Sequence, residues 1–168
     1  MGQWILVVLA TAVLCSCGGG YDGYQTFSYT IRGVRYHPMS VEEALRYQES
    51  GTASWYDESS FFGLKRGNTS LGEKVRPLAV SGAHKTLPLP CRVKVTNLEN
   101  GKSVKMRLND RGPFIAGRII DVTPRAARKL GFKDQGLTEV RVEVLSVGDG
   151  KHERKAPRDR GIPFVPFL

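Results

Sequence analysis

Apolar and polar residues alternate in two neighbouring segments near the middle of the chain, residues 92–97 and 103–108. Successive side chains of a strand point to opposite faces of a sheet, so each segment predicts a half-buried strand. Between them, Glu99-Asn-Gly101 is a strong signal for a hairpin turn. Residues 137–147 alternate in the same way and predict a final strand. Many short strands with few helices favour a small barrel over a parallel sheet covered by helices.

Two segments carry the signals of short helices. Ser40-Val-Glu-Glu43 is a capping box, which predicts a helix that runs to about Tyr47. Thr123 precedes Pro124, and Gly131 follows the apolar positions of the same segment, so a helix of two turns is expected between them. The sequence therefore predicts an all-β chain with one or two short helices.

One strand ends on a carboxylate. Residues 104–108 run directly into Asn109-Asp-Arg-Gly-Pro113, so Asp110 lies where the predicted strand leaves the sheet. Catalytic and binding groups concentrate at such positions, because the scaffold is rigid there and the side chain still meets solvent. Asp110 could equally belong to an Asx turn or pair with Arg111. The residues alone leave these interpretations open.

The N-terminus predicts export and lipidation. Residues 4–14 form an uncharged apolar run that has the length of a signal-peptide core and is too short to span a bilayer. Leu14-Cys-Ser-Cys17 resembles a bacterial lipobox, with Cys17 as the lipidated residue; a plain secretory signal is the alternative. We therefore expect a signal peptide at residues 1–16 and a flexible tether at 17–27. Gly18 after the cysteine favours an outer-membrane lipoprotein facing the periplasm.

Processing would leave Cys91 as the single free thiol, so we expect no disulfide within the chain. A lone cysteine at the start of an alternating strand is usually a small core residue. The alternative, a nucleophilic thiolate with His84 as its base, has weak support because a proline-containing segment separates the two residues. Three histidines and one usable cysteine show no metal-ligand spacing. We expect neither a metal nor another cofactor.

The remaining predictions concern charge and the C-terminus. The net charge is +9, which would suggest nucleic acid in a cytoplasmic protein. Export argues against nucleic acid and favours an environment of anionic cell-wall polymers. Residues 148–168 form a basic tail that contains prolines, and residues 148–161 are predicted to be disordered. No repeat or second domain is visible.

Five motifs follow one another between residues 28 and 147: Gly51-Thr-Ala-Ser-Trp-Tyr56, Ala83-His-Lys-Thr-Leu-Pro-Leu-Pro90, residues 93–104, Asn109-Asp-Arg-Gly-Pro113 and Gly117-Arg-Ile-Ile-Asp121. In this order they resemble the rare lipoprotein A family. The resemblance implies a six-stranded double-psi β-barrel. It also implies an endolytic lytic transglycosylase that cleaves MurNAc–GlcNAc bonds in peptidoglycan strands stripped of stem peptides.

The same resemblance implies the site. Asp110, Glu73 and His84 match the family's active-site positions, and we expect them to line one groove. Asp110 is the expected acid and base, Glu73 a second carboxylate, and His84 a hydrogen-bond partner of a carboxylate. The roles of the two carboxylates could be reversed. The residues expected to bind substrate are Trp55, Tyr56, Asn109 and Arg111, and alternation allows only one of the two aromatic residues to point inward.

Two departures from the family pattern support an alternative. Arg76 replaces an acidic residue close to Glu73, and its charge should lower the pKa of that carboxyl. Asp57 stands where the family has glycine after Trp-Tyr. The alternative is a non-catalytic scaffold protein that binds peptidoglycan with a degenerate active site. The sequence shows no sporulation-related repeat after the barrel, so septal targeting is not carried over.

Overall fold

The structure is a computed structural model that describes residues 23–56, 59–60, 65–76 and 78–157. The predicted signal peptide, Cys17 and Asp57 lie outside the described residues, as does the end of the tail from residue 158.

Strands dominate the described part of the chain. The first strands are β1 (Tyr29–Ile31), β2 (Val34–Tyr36), β3 (Gln48–Trp55), β4 (Ser59–Ser60) and β5 (Lys65–Arg66). The rest are β6 (Ser81–His84), β7 (Cys91–Asn97), β8 (Ser103–Asp110), β9 (Arg118–Val122), β10 (Leu137–Val147) and β11 (Arg154–Lys155). Helices α1 (Val41–Ala44) and α2 (Pro124–Leu130) are short, and Gly150–His152 forms a single 3₁₀ turn.

Six of these strands close into a barrel. Their order is β10-β3-β9-β6-β8-β7, and β10 also pairs with β7, which joins the two ends of the sheet. Strand β3 pairs with β9 in parallel, as β6 does with β8, whereas the other neighbours are antiparallel. Closure leaves these six strands without a free sheet edge. The fold is a six-stranded double-psi β-barrel, as predicted.

The core follows from the alternation. Val93 and Val95 of β7, Val140 and Val142 of β10, and Leu108 of β8 are fully buried inside the barrel. Strand β10 has the bounds expected from the sequence, and β8 extends to Asp110 itself. The pattern that predicted the strands therefore also fixes which side chains fill the barrel.

Both helices begin where the sequence predicts. Ser40 accepts a hydrogen bond from the Glu43 N–H at 3.2 Å, and the Glu43 carboxylate accepts one from the Ser40 N–H at 2.8 Å. Helix α1 ends at Ala44, earlier than expected. Helix α2 begins at Pro124 and ends before Gly131, which has a φ of 78°.

Two segments expected to be flexible are attached to the barrel. Gln25, placed in the tether, exchanges backbone hydrogen bonds with Leu89 at 2.6 and 3.2 Å. In the tail, β11 pairs with the end of β10, and Asp149 binds a side chain of β8. The prediction of disorder is therefore wrong for residues 148–157, because tertiary contacts provide the order that local composition did not.

Cys91 is fully buried and joins the core, as expected of a small hydrophobic residue. Burial raises the pKa of its thiol to about 12. Among the described residues, neither helix has the length and the apolar character needed to cross a bilayer.

Candidate functional site

A tight turn next to β8 carries part of the site. Asn68 and Lys74 form an isolated bridge, and within the turn Thr69 donates its N–H to the carbonyl of Glu73 at 2.8 Å. The Glu73 N–H in turn reaches the Thr69 hydroxyl at 3.2 Å. Gly72 has a φ of 78°, a backbone conformation that residues other than glycine rarely adopt. This 68–74 turn fixes Glu73 through its own backbone.

Asp110 is the last residue of β8, and only 8% of it is exposed. Its Oδ1 accepts three hydrogen bonds: from the Ser70 N–H at 2.8 Å, from the Ser70 hydroxyl at 2.6 Å and from the Arg111 N–H at 2.8 Å. Its Oδ2 has no partner among the described residues. Asp110 lines a cavity of about 440 Å³, which we call the Asp110 cavity. The carboxyl is thus held by one oxygen, and the other is available to a ligand.

Glu73 is held as a carboxylate. Arg107 donates to both of its oxygens at 2.8 Å, and the Asn109 side-chain amide donates to Oε2 at 2.7 Å. The Arg107 hydrogen bonds are the main reason why the pKa of Glu73 lies below its ordinary value, and Asn109 adds to the effect. Arg76 lowers the pKa of Glu73 as predicted, but its contribution is smaller. Glu73 is therefore ionised at neutral pH.

The two carboxylates line different cavities. Glu73, Arg107 and Asn109 line a cavity of about 450 Å³, which we call the Glu73 cavity. Alternation along β8 sends Arg107 and Asn109 to one side of the strand and Asp110 to the other. Thr69 lines both cavities, so they adjoin at the 68–74 turn. The single groove expected from the sequence is, in the structure, a pair of neighbouring cavities.

The side-chain oxygen of Asn109 is a buried acceptor without a partner in the described part of the chain. The residue is 9% exposed, and its Oδ1 has no hydrogen-bond partner among the described residues. Its amide orientation is fixed, because Nδ2 must face the Glu73 carboxylate. A buried acceptor without a partner costs about 1–3 kcal/mol.

His84 does not hydrogen-bond a carboxylate, contrary to the prediction. Its Nδ1 accepts the N–H groups of Thr86 and Leu87 at 3.1 and 3.0 Å, so the ring proton is on Nε2, 2.9 Å from the Tyr47 hydroxyl. Burial lowers its pKa to about 3, and the residue lines neither of the two cavities. His84 is a neutral structural residue that fixes the segment after β6.

The two predicted aromatic residues separate, as alternation requires. Tyr56 lines the Glu73 cavity. Trp55 packs against the core, donates its Nε1–H to the Lys133 carbonyl at 3.0 Å and lies under the Lys133 ammonium, 4.8 Å from the ring centre. Trp55 lines neither cavity, so the structure does not place it for substrate binding.

Arg111 lines the Asp110 cavity, but its guanidinium is occupied by the protein. It donates to the carbonyl oxygens of Leu87 at 2.5 Å, Lys85 at 3.3 Å and Gln25 at 3.4 Å. It also lies 5.2 Å from the centre of the Tyr29 ring. Arg111 therefore joins three segments of the fold, where the sequence predicted a substrate contact.

A third carboxyl lies on a neighbouring strand. Asp121 of β9 faces Ala83 of β6, which in turn faces Asp110 of β8. Burial raises the pKa of Asp121, and its Oδ1 accepts a hydrogen bond from the Ser54 hydroxyl. Asp121 lines neither the Asp110 cavity nor the Glu73 cavity.

Ser70, Arg107 and Asp149 are site residues that the sequence analysis missed. Asp149 Oδ2 accepts a hydrogen bond from Arg107 Nη2 at 2.6 Å, so one arginine joins the tail to Glu73. The two-residue period of β8 places Arg107 on the same side as Asn109, and this signal could have identified it. Ser70 and Asp149 have no local signal, because their partners come from distant parts of the chain.

Comparison with known proteins identifies the family. The family model described as lytic transglycolase matches residues 48–142. The endolytic peptidoglycan transglycosylase RlpA of Vibrio cholerae is 35% identical over 189 residues, which cover 96% of this chain and 70% of that protein. The chain belongs to the rare lipoprotein A family.

Two shorter matches have higher identity. The protein of the same description from Neisseria meningitidis is 48% identical over 121 residues, covering 72% of this chain and 48% of the relative. That from Pseudomonas aeruginosa is 49% identical over 117 residues, covering 70% of this chain and 32% of the relative. The chain thus spans half or less of the length of these two relatives of the rare lipoprotein A family.

We expect Glu73→Gln to destabilise the fold at neutral pH by about 1 kcal/mol, because Arg107 loses a charged partner that is partly exposed. The folded-state pKa of Glu73 is lowered, so its stabilising contribution is present above the unfolded-state pKa of about 4.5 and is lost as the pH falls through the folded-state value. Urea denaturation at pH 7 and pH 3 measures this. The exposed Glu99→Gln is the control, and an equal effect of Glu73→Gln at both pH values would contradict the ion pair.

We expect His84→Leu to destabilise the fold at pH 7 by about 1–3 kcal/mol, because two N–H groups lose their acceptor. The unfolded chain binds a proton near pH 6.5, but the folded chain does so only near pH 3. The stabilisation by His84 is therefore complete above pH 6.5 and falls as the pH drops toward 3, so the deficit of the variant shrinks at pH 5. Chemical denaturation at both pH values, with the exposed His37→Leu as control, measures this; unchanged stability at pH 7 would refute the structural role.

Proposed function

We propose that the chain is an endolytic peptidoglycan lytic transglycosylase, which cleaves MurNAc–GlcNAc bonds in peptide-free strands and leaves 1,6-anhydro ends. The observation that carries this proposal is the geometry of Asp110. Its Oδ1 is held by Ser70 and Arg111, whereas Oδ2 has no partner among the described residues. A carboxyl with one fixed oxygen and one free oxygen at the wall of a cavity can exchange a proton with a bound sugar.

The reaction needs one carboxyl that acts twice. In the first step, the protonated Asp110 gives its proton to the glycosidic oxygen, and the bond from that oxygen to MurNAc C1 breaks. In the second step, the Asp110 carboxylate takes the proton of the MurNAc C6 hydroxyl while O6 bonds to C1. The carboxyl is protonated again at the end, and no water is consumed. The two carboxylates that hydrolytic glycosidases use are therefore not required.

The state of Glu73 favours Asp110 as the proton donor. Arg107 and Asn109 stabilise the Glu73 carboxylate, so Glu73 is poorly suited to give up a proton at neutral pH. Of the two departures that supported a degenerate site, Arg76 is the one close to Glu73, but Arg107 has the larger effect on the pKa of Glu73. Arg76 therefore adds to a charge state that another residue sets, and it gives little reason to abandon catalysis.

The two cavities suggest how a glycan strand binds. They adjoin at Thr69, so a linear polymer can extend across the 68–74 turn from one cavity to the other. Asn109 and Tyr56 both line the Glu73 cavity and would contact the strand there. Asp110 would then meet the glycosidic bond on the other side of the turn. We assign the preference for peptide-free strands to the family resemblance.

We further propose that Cys17 is lipidated after removal of residues 1–16 and anchors the protein in the outer membrane, facing the periplasm. The lipobox-like sequence before Cys17 supports this. Labelled palmitate should be incorporated into the full chain and not into Cys17→Ala, with Cys91→Ala as the control that keeps the label. Equal labelling of the Cys17→Ala variant would contradict the assignment.

We expect Asp110→Asn to abolish formation of 1,6-anhydro ends by the purified full chain from amidase-treated sacculi. Asparagine keeps an oxygen that accepts from Ser70 and Arg111, so the fold should persist, but the side chain can no longer transfer a proton. Mass spectrometry of the released material measures the products, and circular dichroism checks the fold. The exposed Asp134→Asn should leave activity unchanged.

Two outcomes would overturn parts of the proposal. Undiminished activity of Asp110→Asn would refute Asp110 as the acid and base and would turn attention to Asp121. No products from the unmodified chain, with the protein still pelleting on sacculi, would refute the enzyme and support a wall-binding protein.

A further inference from the structure

We propose that Phe27, Tyr29 and Phe114 form a sugar-binding subsite, in which the face of an amino-sugar ring packs against aromatic side chains beside Asp110. We call these three residues the aromatic wall. All three line the Asp110 cavity. This inference rests on the proposed function, because it assumes that the ligand of the cavity is a glycan strand. All three residues lie outside the segments from which the site was predicted, although Phe114 directly follows Pro113.

The aromatic wall is fixed to the barrel by the N-terminal hairpin of β1 and β2. Tyr29 and Tyr36 are cross-strand partners whose rings stack with 5.2 Å between their centres. Phe114 packs against both rings, at 6.3 Å from Tyr29 and 5.4 Å from Tyr36. The Tyr29 hydroxyl donates to the Lys85 carbonyl at 2.7 Å. These contacts hold Tyr29 and Phe114 in place beside Asp110.

Phe27 has no evident role in the stability of the fold. It is 80% exposed, although it lies two residues before Tyr29 and lines the cavity with it. Phe114 is 36% exposed, so part of its ring also meets solvent. An exposed aromatic side chain in a cavity that contains a candidate catalytic group is a typical feature of a ligand site. Such residues gain buried surface only when a ligand binds.

Apart from Ile31, the rest of the cavity is polar. Gln25, Ser28, Asn68 and Ser70 line it together with the aromatic wall and Asp110. A pyranose ring has the matching character, because its C–H groups form an apolar face and its hydroxyl and N-acetyl groups surround the edge. An aromatic ring packs against the apolar C–H face of the sugar, and amide and hydroxyl side chains hydrogen-bond its polar edge. A lipid chain would leave the polar groups unsatisfied.

The test measures binding without turnover. In the full chain with Asp110→Asn, we expect Phe27→Ala to weaken binding to purified peptide-free glycan strands by about 3- to 10-fold, the range expected for one aromatic contact. Phe27→Trp should bind at least as tightly as the parent, because it keeps a ring. The control is Val34→Ala, which removes an exposed apolar side chain of the same hairpin that does not line the cavity. Thermal unfolding checks that each variant is folded.

The outcomes separate the subsite from the proposed function. Equal binding of folded Phe27→Ala and its parent would overturn the subsite, as would an equal loss in Val34→Ala. Cleavage by the unmodified chain is measured in parallel. Products without any effect of Phe27 on binding would refute the subsite alone. An effect of Phe27 on binding without products would refute the enzyme and support the subsite.

Discussion

The ion pairs of Arg107 determine much of the geometry at this site. Its guanidinium donates to both oxygens of Glu73 and to the carboxylate of Asp149, so one side chain of β8 joins the 68–74 turn to the segment after β10. A guanidinium that is partly buried must keep its partners, because an unpaired charge there is costly. The position of the turn, and with it Ser70, therefore depends on Arg107.

The consequence is a division between two carboxylates. The 68–74 turn places Glu73 against Arg107 and Ser70 against Asp110. Arg107 stabilises the first carboxylate, and Ser70 orients the second. Glu73 gains two charged hydrogen bonds and cannot readily donate a proton. Asp110 receives its hydrogen bonds on one oxygen only. In this arrangement the ionised Glu73 would hold the turn in place, and Asp110 would transfer the proton. This division is compatible with a reaction that needs only one acid and base.

The sequence predicted the local features of this arrangement and missed those made by distant residues. Alternation correctly placed Asp110 at the end of a strand and separated Trp55 from Tyr56. The role of His84 could not be predicted, because its acceptor nitrogen binds backbone N–H groups that a bend after β6 turns toward it. The tail looked disordered by composition, but Asp149 is ordered by Arg107, which is distant in sequence. The family resemblance identified which positions belong to the site. The role of each residue at those positions became clear only from its contacts in the structure.

Arg111 shows why the aromatic wall and the carboxyl belong to one site. Its backbone N–H donates to Asp110 Oδ1, while its guanidinium donates to the Gln25 carbonyl and lies over the ring of Tyr29. A single residue thus fixes the distance between the group that would transfer the proton and the N-terminal segment that would hold the sugar. Its carbonyl partners leave the guanidinium little capacity for a ligand, so Arg111 acts by positioning. If a sugar ring packs on the aromatic wall, Arg111 has already set the position of Tyr29 relative to Asp110 before the sugar binds. Such preorganisation helps a single carboxyl to serve as acid and then as base.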